Sequence, residues 1–426
     1  MGIAYRRLEK SIRKSNRKVK NKGLENITKI AFLSLAILPL LRENINSMLI
    51  ILVSILVIIH VVKTKNFKVF RKEYWVLTSL FWMFLAHEII SFDFNFNRII
   101  RYLPFLIFPL IFYYRPPYID KKIKQQSIKI FQISVLLQSF IYLVIFLKAN
   151  SIAQLFYISP EEIPFFREYV YGNYYFKIHP TYFSAYLLVS FTISWFTLLI
   201  EKGKNIFLTI LNSILTVFFI FLFSSKIIFI LLFITIIASI AYLIFKKGIK
   251  QQLIPLGISL VVFVALIYPS REIIGNRFKE IKTEINKPII GDYYNSTNTR
   301  VAIFRCSLIL VEELPFFGFG EELQEKLNNC YGATNDSEFY KKGVFNTHNY
   351  YFNLVLYGGW LFLVLFIIII YFYYKNSIHS LLGLFLLSQF LLINLTENYF
   401  SRHYGIVLFT YFISLFIFIG KSEKFE

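Results

Sequence analysis

The chain has 426 residues, 56% of them hydrophobic, and a mean hydropathy of +0.57. Soluble proteins contain about 45–50% apolar residues, and here the excess stands in long blocks. The net charge of +21, from 46 Lys and Arg against 25 Asp and Glu, would normally suggest nucleic acid or an anionic surface. The apolar blocks and the 2 Cys exclude a soluble nucleic-acid-binding protein, a disordered chain and a disulfide scaffold. The composition therefore predicts a polytopic membrane protein.

Twelve segments are apolar and long enough to be candidate membrane crossings, for which a helix needs about 20 residues. They are 27–41, 48–63, 75–90, 99–114, 127–147, 180–200, 206–223, 227–245, 252–268, 346–373, 379–396 and 404–420. Ser224-Ser225-Lys226 interrupts the stretch 206–245, which predicts a tight turn between two helices. The sequence thus predicts an all-α polytopic membrane protein with about 12 transmembrane helices.

The distribution of Lys and Arg predicts the orientation. With the N-terminus inside, the cytoplasmic segments hold 26 of these residues and the short external segments hold 7, as the positive-inside rule requires. The predicted organisation is a basic cytoplasmic tail (1–26), transmembrane helices 1–9 (27–268) with an external loop (148–179), a large external loop (269–345), transmembrane helices 10–12 (346–420) and a cytoplasmic tail (421–426). No signal peptide is recognised at the start of the chain, and the basic tail is expected to approach anionic lipid head groups.

The large external loop has features of an ordered segment. It is nearly neutral, with 10 Lys and Arg against 11 Asp and Glu, and its stretch 301–314 has the apolar spacing of an amphipathic helix. Pro315 should end that helix, and Gly318 and Gly320 permit a tight turn near a ligand. Outside the cell membrane, Cys306 and Cys330 could form a disulfide; two buried free thiols are the alternative.

Ionisable side chains at the external ends of membrane helices are costly and often functional. Those of this chain are Arg98, Arg101, Arg167, His179, Lys226, Arg300, Arg305, His348, Glu397 and Arg402. Several cations facing one external cavity would suit an anionic ligand such as a phosphate, whereas each alone could be an interfacial side chain that reaches towards water. The six His are scattered and no CxxC or HExxH motif occurs, so no metal site is predicted.

His348 stands out among these residues. It lies 11 positions before Gly359, about three helical turns, which predicts that both lie on one stripe of a helix with Phe352 and Val355 between them. Gly359 would let another helix approach closely. A His at the external rim could act as a general base or hydrogen-bond partner, or it could cap the helix.

With these residues and this topology, the chain resembles the O-antigen ligase and O-antigen polymerase superfamily of bacterial envelope glycosyltransferases. The resemblance covers the topology of nearly the whole chain, and its motifs lie in 224–226 and 300–359. The ligase family has a His, then Asn, Ser or Gln, then nine residues and a Gly; here these are His348, Asn349 and Gly359.

Two further motifs of the family have counterparts here. An Arg precedes an amphipathic helix and a Pro-x-x-Gly-x-Gly turn, as Arg300 precedes Pro315, Gly318 and Gly320. The family usually has a Ser-Arg pair at an upstream periplasmic helix end. This chain has Ser225-Lys226, which keeps the charge but loses the bidentate fork of Arg. The segments 179–182 and 396–399 also resemble recurring parts of such proteins.

The resemblance implies a metal-independent, inverting glycosyltransferase in the bacterial inner membrane that needs no cofactor. Its donor would be a glycan on undecaprenyl diphosphate, and its acceptor a hydroxyl of a lipid- or glycan-linked molecule on the periplasmic side, as in lipopolysaccharide biosynthesis. Lys226 and Arg300 would stabilise the diphosphate, with Arg167 in a weaker role. His348 would orient or deprotonate the acceptor, while Glu397 is a second candidate for base or orienting residue.

Three functions stay open from the sequence. A ligase would join a finished polymer to a lipid or protein acceptor, and a polymerase would join repeat units to one another. The His348 motif favours the ligase. A transporter of the same lipid-linked sugars is the third alternative, but transporters favour internal repeats and charges at the middle of the membrane. In this chain no repeat is evident, and the polar residues cluster at the external face.

Overall fold

The computed structural model describes residues 22–420 except for 66, 68–69, 71, 92–93, 158–163, 173–177, 201–205, 248–270, 272–274, 277–278, 280, 284, 286–295, 336–337, 343 and 378–379. Every regular element of this described part is helical. The helices are α1 Lys22–Leu40, α2 Glu43–Thr64, α3 Lys72–Ile90, α4 Phe96–Tyr102, α5 Pro104–Tyr113, α6 Lys121–Leu147, α7 Phe165–Gly172, α8 Pro180–Ile200, α9 Ile206–Phe223, α10 Lys226–Lys247, α11 Ser296–Glu312, α12 Leu323–Thr334, α13 Glu338–Lys342, α14 Tyr350–Ser377, α15 Leu381–Ile393 and α16 His403–Gly420. The last part of α1, Leu35–Leu40, is a 3-10 helix, and further short 3-10 turns occupy Ile152–Phe156, Gly320–Glu322 and Tyr399–Ser401.

The apolar helices coincide with predicted membrane crossings. Seven are long and apolar enough to cross a bilayer, namely Lys22–Leu40, Glu43–Thr64, Phe96–Tyr113, Lys121–Leu147, Pro180–Leu199, Ile206–Phe223 and Tyr350–Ser377. Four shorter apolar helices, Tyr74–Ile90, Lys226–Tyr242, Leu381–Ile393 and His403–Ile419, match four further predicted crossings. The predicted crossing 252–268 lies outside the described residues. The described part of the chain is thus all-helical, with seven helices able to span a membrane, and the count of twelve and the side of each loop stay predictions.

Helix α8 lies at the centre of the bundle, with 83% of its apolar stretch buried. A buried glutamine, Gln389 of α15, donates hydrogen bonds of 2.7 Å to Thr192 of α8 and to Thr235 of α10. Hydrogen bonds between side chains hold membrane helices together, because lipid supplies little hydrophobic force between them. These hydrogen bonds join the three helices in the interior of the bundle.

The segment before α14 contains the predicted amphipathic helix and a disulfide. The helix predicted for 301–314 is α11, which begins earlier at Ser296 and ends at Glu312, before Pro315. Cys306 of α11 and Cys330 of α12 are joined by a disulfide with Cα atoms 5.8 Å apart. The disulfide therefore fixes the amphipathic helix to the helix that follows it.

The prediction that His348 and Gly359 share one helical stripe is wrong. His348 precedes α14 and has a left-handed backbone with φ of 43°. Gly359 has φ of 75° and ψ of 177°, which breaks α14 in its first half. The close neighbour of Gly359 is a turn and not a helix, since a Cβ there would lie 2.1 Å from the carbonyl oxygen of Phe316. The spacing of 3.6 residues per turn does not hold across these two irregular positions.

Candidate functional site

His348 lies in a turn that is hydrogen-bonded to a second turn, formed by residues 394–398. The backbone N–H of His348 donates to Asn346 Oδ1 at 2.9 Å, which supports its left-handed conformation. The neighbouring Thr347 hydroxyl donates to Asn398 Oδ1 at 3.1 Å. A non-glycine residue with positive φ is uncommon and needs such support from its surroundings. The 394–398 turn between α15 and α16 supplies that support.

Asn349, the second residue of the His348 motif, has a structural position. Its side-chain oxygen accepts hydrogen bonds from the backbone N–H groups of Tyr351 at 2.9 Å and Phe352 at 3.1 Å, and so caps the start of α14. Its side-chain nitrogen donates to the carbonyl of Leu395 at 3.1 Å. Asn349 therefore joins the start of α14 to the same 394–398 turn.

Glu397 lies between Arg300 and His348. Its Oε1 atom accepts a hydrogen bond of 2.7 Å from Arg300 Nη2, and its Oε2 atom lies 3.5 Å from His348 Nδ1. The carboxylate is 6% exposed, whereas the side chains of Arg300 and His348 are 37% and 31% exposed. A buried carboxylate thus bridges two side chains that reach the solvent.

The surroundings of Glu397 keep its carboxylate charged. Burial alone would raise its pKa, but the contact with His348 and the charge of Arg300 outweigh burial and lower the pKa to about 2. The group is consequently ionised at neutral pH, where it holds Arg300 by charge.

The orientation of His348 leaves one ring nitrogen for a ligand. Nδ1 is the ring nitrogen that faces Glu397 Oε2, 3.5 Å away, and this buried atom makes no hydrogen bond within the described part of the chain. When a carboxylate holds a proton on one nitrogen of an imidazole, the other nitrogen presents a lone pair. With its proton on Nδ1, His348 can accept a proton from a bound hydroxyl at Nε2.

The structure places the other two predicted diphosphate residues around the turn at 224–226. Lys226 Nζ donates to Thr297 Oγ1 at 3.0 Å, and Thr297 lies one helical turn before Arg300 on α11. Arg167, on helix α7, donates to the carbonyls of Phe223 and Ser224 at 3.1 and 3.3 Å. Arg167 thereby caps the C-terminus of α9, while Lys226 reaches the first turn of α11.

His179 also belongs to this neighbourhood. Its Nδ1 atom accepts a hydrogen bond of 3.3 Å from the backbone N–H of Thr181. Burial, together with the charges of Arg167, His348 and Arg300, lowers the pKa of His179 to about 4, although Glu397 opposes the shift. At neutral pH, His179 is an uncharged group within the electrostatic reach of the site.

Not every predicted site residue lies beside His348. Pro315, Gly318 and Gly320 form a turn after α11, and this turn contacts the break of α14 at Gly359.

The sequence indicates Glu397 as a candidate, but it does not predict the position of Glu397 between Arg300 and His348. A lone carboxylate between two apolar segments was the signal that pointed to it. Within the described residues, no group of three or more His, Cys, Asp or Glu side chains could hold a metal ion.

Comparison with known proteins gives one family. Residues 211–367 match the family model described as O-antigen ligase. The matched segment includes Lys226, Arg300 and His348, whereas Arg167 precedes it and Glu397 follows it. A search of curated proteins found no match.

Proposed function

We propose that this membrane protein is a glycosyltransferase of the O-antigen ligase superfamily, because residues 211–367 match the O-antigen ligase family model. It moves a glycan from undecaprenyl diphosphate to an acceptor hydroxyl on the periplasmic side of the bacterial inner membrane. The observation that carries the proposal is the contact of Arg300 and His348 through Glu397.

The proposed reaction follows from the positions of these side chains. His348 Nε2 takes the proton of the acceptor hydroxyl as its oxygen attacks the anomeric carbon of the donor. The bond between that carbon and the diphosphate oxygen breaks, and the lipid diphosphate leaves with the electron pair. Arg300 and Lys226 stabilise the negative charge that develops on the leaving group, with support from Arg167. A single attack from the opposite side inverts the anomeric centre.

The disulfide supports the side of the membrane on which this reaction is placed. Disulfides persist in the periplasm and are rare in the cytosol, so the bond between Cys306 and Cys330 suits a loop outside the cytoplasm. The count of Lys and Arg in the sequence favours the same orientation. Both termini are then cytoplasmic.

Transfer by the purified protein tests the proposal. The protein is placed in liposomes with an undecaprenyl-diphosphate glycan and an acceptor, and the released lipid diphosphate and the glycosylated acceptor are measured. We expect His348→Ala to lower the rate by roughly 10²–10⁴-fold, the range for loss of general base catalysis. Glu325→Gln, at an exposed residue of α12, is the control and should keep the wild-type rate. Unchanged transfer by His348→Ala would contradict the proposed site.

A gel of the glycans from a deletion strain separates the alternatives. Deletion of a ligase leaves full-length polymer on the carrier lipid, and this is the outcome we expect. A single repeat unit on the acceptor would instead indicate a polymerase of the same superfamily. Movement of the donor across the liposome membrane without transfer would indicate a transporter.

A further inference from the structure

A buried polar cluster lies at the break of α14, away from His348. Glu88 of α3 accepts hydrogen bonds from Arg98 Nη1 at 2.9 Å and from the hydroxyl of Tyr357 on α14. Its second oxygen accepts from the backbone N–H of Asn95 at 3.0 Å. The guanidinium of Arg98 also lies 4.6 Å from the centre of the Tyr357 ring and pairs with Glu321. We call Glu88, Arg98 and Tyr357 the Arg98 cluster.

The Arg98 cluster lies directly under the turn formed by residues 315–320. The Phe319 N–H donates to the carbonyl of Leu356 at 2.7 Å, and His87 Nε2 lies 3.1 Å from the carbonyl oxygen of Phe317. A Cβ at Gly318 would lie 2.4 Å from the backbone of Tyr357. The backbone of the 315–320 turn therefore packs on Tyr357, whose hydroxyl belongs to the Arg98 cluster.

Helices α11 and α14 form a frame. The contact between the 315–320 turn and Tyr357 lies at one end of this frame, and Arg300 and His348 lie at the other end. The part of α11 from Arg300 to its end at Glu312 is about 18 Å long at 1.5 Å per residue, and the 315–320 turn follows it. Helix α14 runs from beside His348 to its break at Gly359. The two helices are joined at one end through Glu397 and at the other end through the turn and the Arg98 cluster.

Stability alone is a weak explanation for such a cluster. Glu88 is 1% exposed at its side chain and Arg98 is 18% exposed, so both have lost much of their hydration. Replacing a buried ion pair by apolar residues of similar volume is often neutral for stability or stabilising. The directional hydrogen bonds of the cluster instead suit a role in fixing one geometry.

We infer that Glu88 and Arg98 are positioning residues for glycosyl transfer, which hold the 315–320 turn on the break of α14 and thereby fix Arg300 opposite His348. The inference rests on the proposed function of Arg300 and His348. It assigns no contact with substrate to the cluster. Because Arg300 acts on charge that develops as the diphosphate leaves, its displacement lowers kcat and leaves the KM for the donor nearly unchanged.

The test uses Tyr357→Phe and the double variant Glu88→Gln, Arg98→Met in the full-length protein in liposomes. Tyr357→Phe keeps the ring and removes the hydroxyl, and the double variant removes both charges together. We expect kcat to fall by up to roughly 100-fold, the cost of a displacement of about 1 Å, with an unchanged KM for the donor. The amide of Phe319 should exchange its hydrogen faster. Arg98→Lys should restore part of kcat relative to Arg98→Met.

Three controls make the result decisive. Arg101→Met changes an exposed cation of the same helix, α4, and should leave kcat and Phe319 exchange unchanged. The positioning role would be overturned if kcat falls only in proportion to the loss of folded protein, as measured by thermal unfolding. It would also be overturned if the Phe319 amide exchanges faster while kcat stays unchanged. His348→Ala is measured alongside. If it retains transfer, the proposed function fails; if it is inactive while the cluster variants keep wild-type kcat, only the positioning role fails.

Discussion

Replacing Glu397 by Gln removes one negative charge from a side chain that is 6% exposed and keeps its shape. In the wild type, the pKa of Glu397 is lowered from 4.5 to about 2, against the effect of burial, by His348 and Arg300. At 1.36 kcal/mol per pKa unit, this favours the ionised folded protein by about 3 kcal/mol. Because the folded pKa is the lower one, the contribution is present above pH about 4.5 and disappears as the pH falls towards 2. The stability difference between wild type and Glu397→Gln should therefore narrow over this interval.

The same substitution should reduce transfer. Gln can accept one hydrogen bond from Arg300, but it no longer offers a charged acceptor to His348 Nδ1, so the lone pair at Nε2 is no longer favoured. We expect the rate at neutral pH to fall by roughly 10²–10⁴-fold.

Two measurements check the expectations for Glu397→Gln. Thermal unfolding between pH 2 and 7 follows the stability difference, and the liposome assay follows transfer at neutral pH. Glu325→Gln, at an exposed carboxylate, should change neither. A Glu397→Gln protein with wild-type transfer and stability, beside an inactive His348→Ala, would refute the reasoning that joins the two residues.

Three further substitutions test the frame around the site. Gly359→Ala should lower thermal stability by more than about 1 kcal/mol, because φ is 75° and a Cβ would lie 2.1 Å from a backbone oxygen; Gly172→Ala, with no atom within 4 Å, is its control. Cys306→Ser with Cys330→Ser should cost about 3 kcal/mol of unfolding free energy in denaturant, the chain-entropy value for a loop of this size, and equal stability with and without reductant in the wild type would contradict it. Asn349→Ala should cost about 1–2 kcal/mol through loss of the α14 cap, measured by thermal unfolding; an unchanged midpoint would show that the cap contributes nothing.

Long-range apolar pattern was enough to predict most of the helices. Segments such as 127–147 and 206–223 are governed by the requirement that backbone polar groups in lipid be satisfied within the helix, so composition alone locates them. The C-terminal end of α11 is also close to the prediction, because Pro315 cannot continue a helix.

The geometry of the site could not be obtained in this way. The predicted stripe with His348 and Gly359 assumes an unbroken helix, but both residues have a positive φ. A local hydrogen bond to Asn346 supports this backbone at His348, and close packing against the 315–320 turn accompanies it at Gly359. The bridge from Glu397 to Arg300 spans 97 residues. Contacts of that separation leave no local signal in one sequence.

The 394–398 turn has a consequence for biosynthesis. Residues 300 and 348 leave the ribosome before residue 397, so the newly made chain contains Arg300 and His348 without the carboxylate that joins them. The contact of Arg300 and His348 through Glu397 can form only after α15 and the 394–398 turn have been made. Under the proposed function, the newly made chain is therefore expected to stay inactive until these last segments are in place.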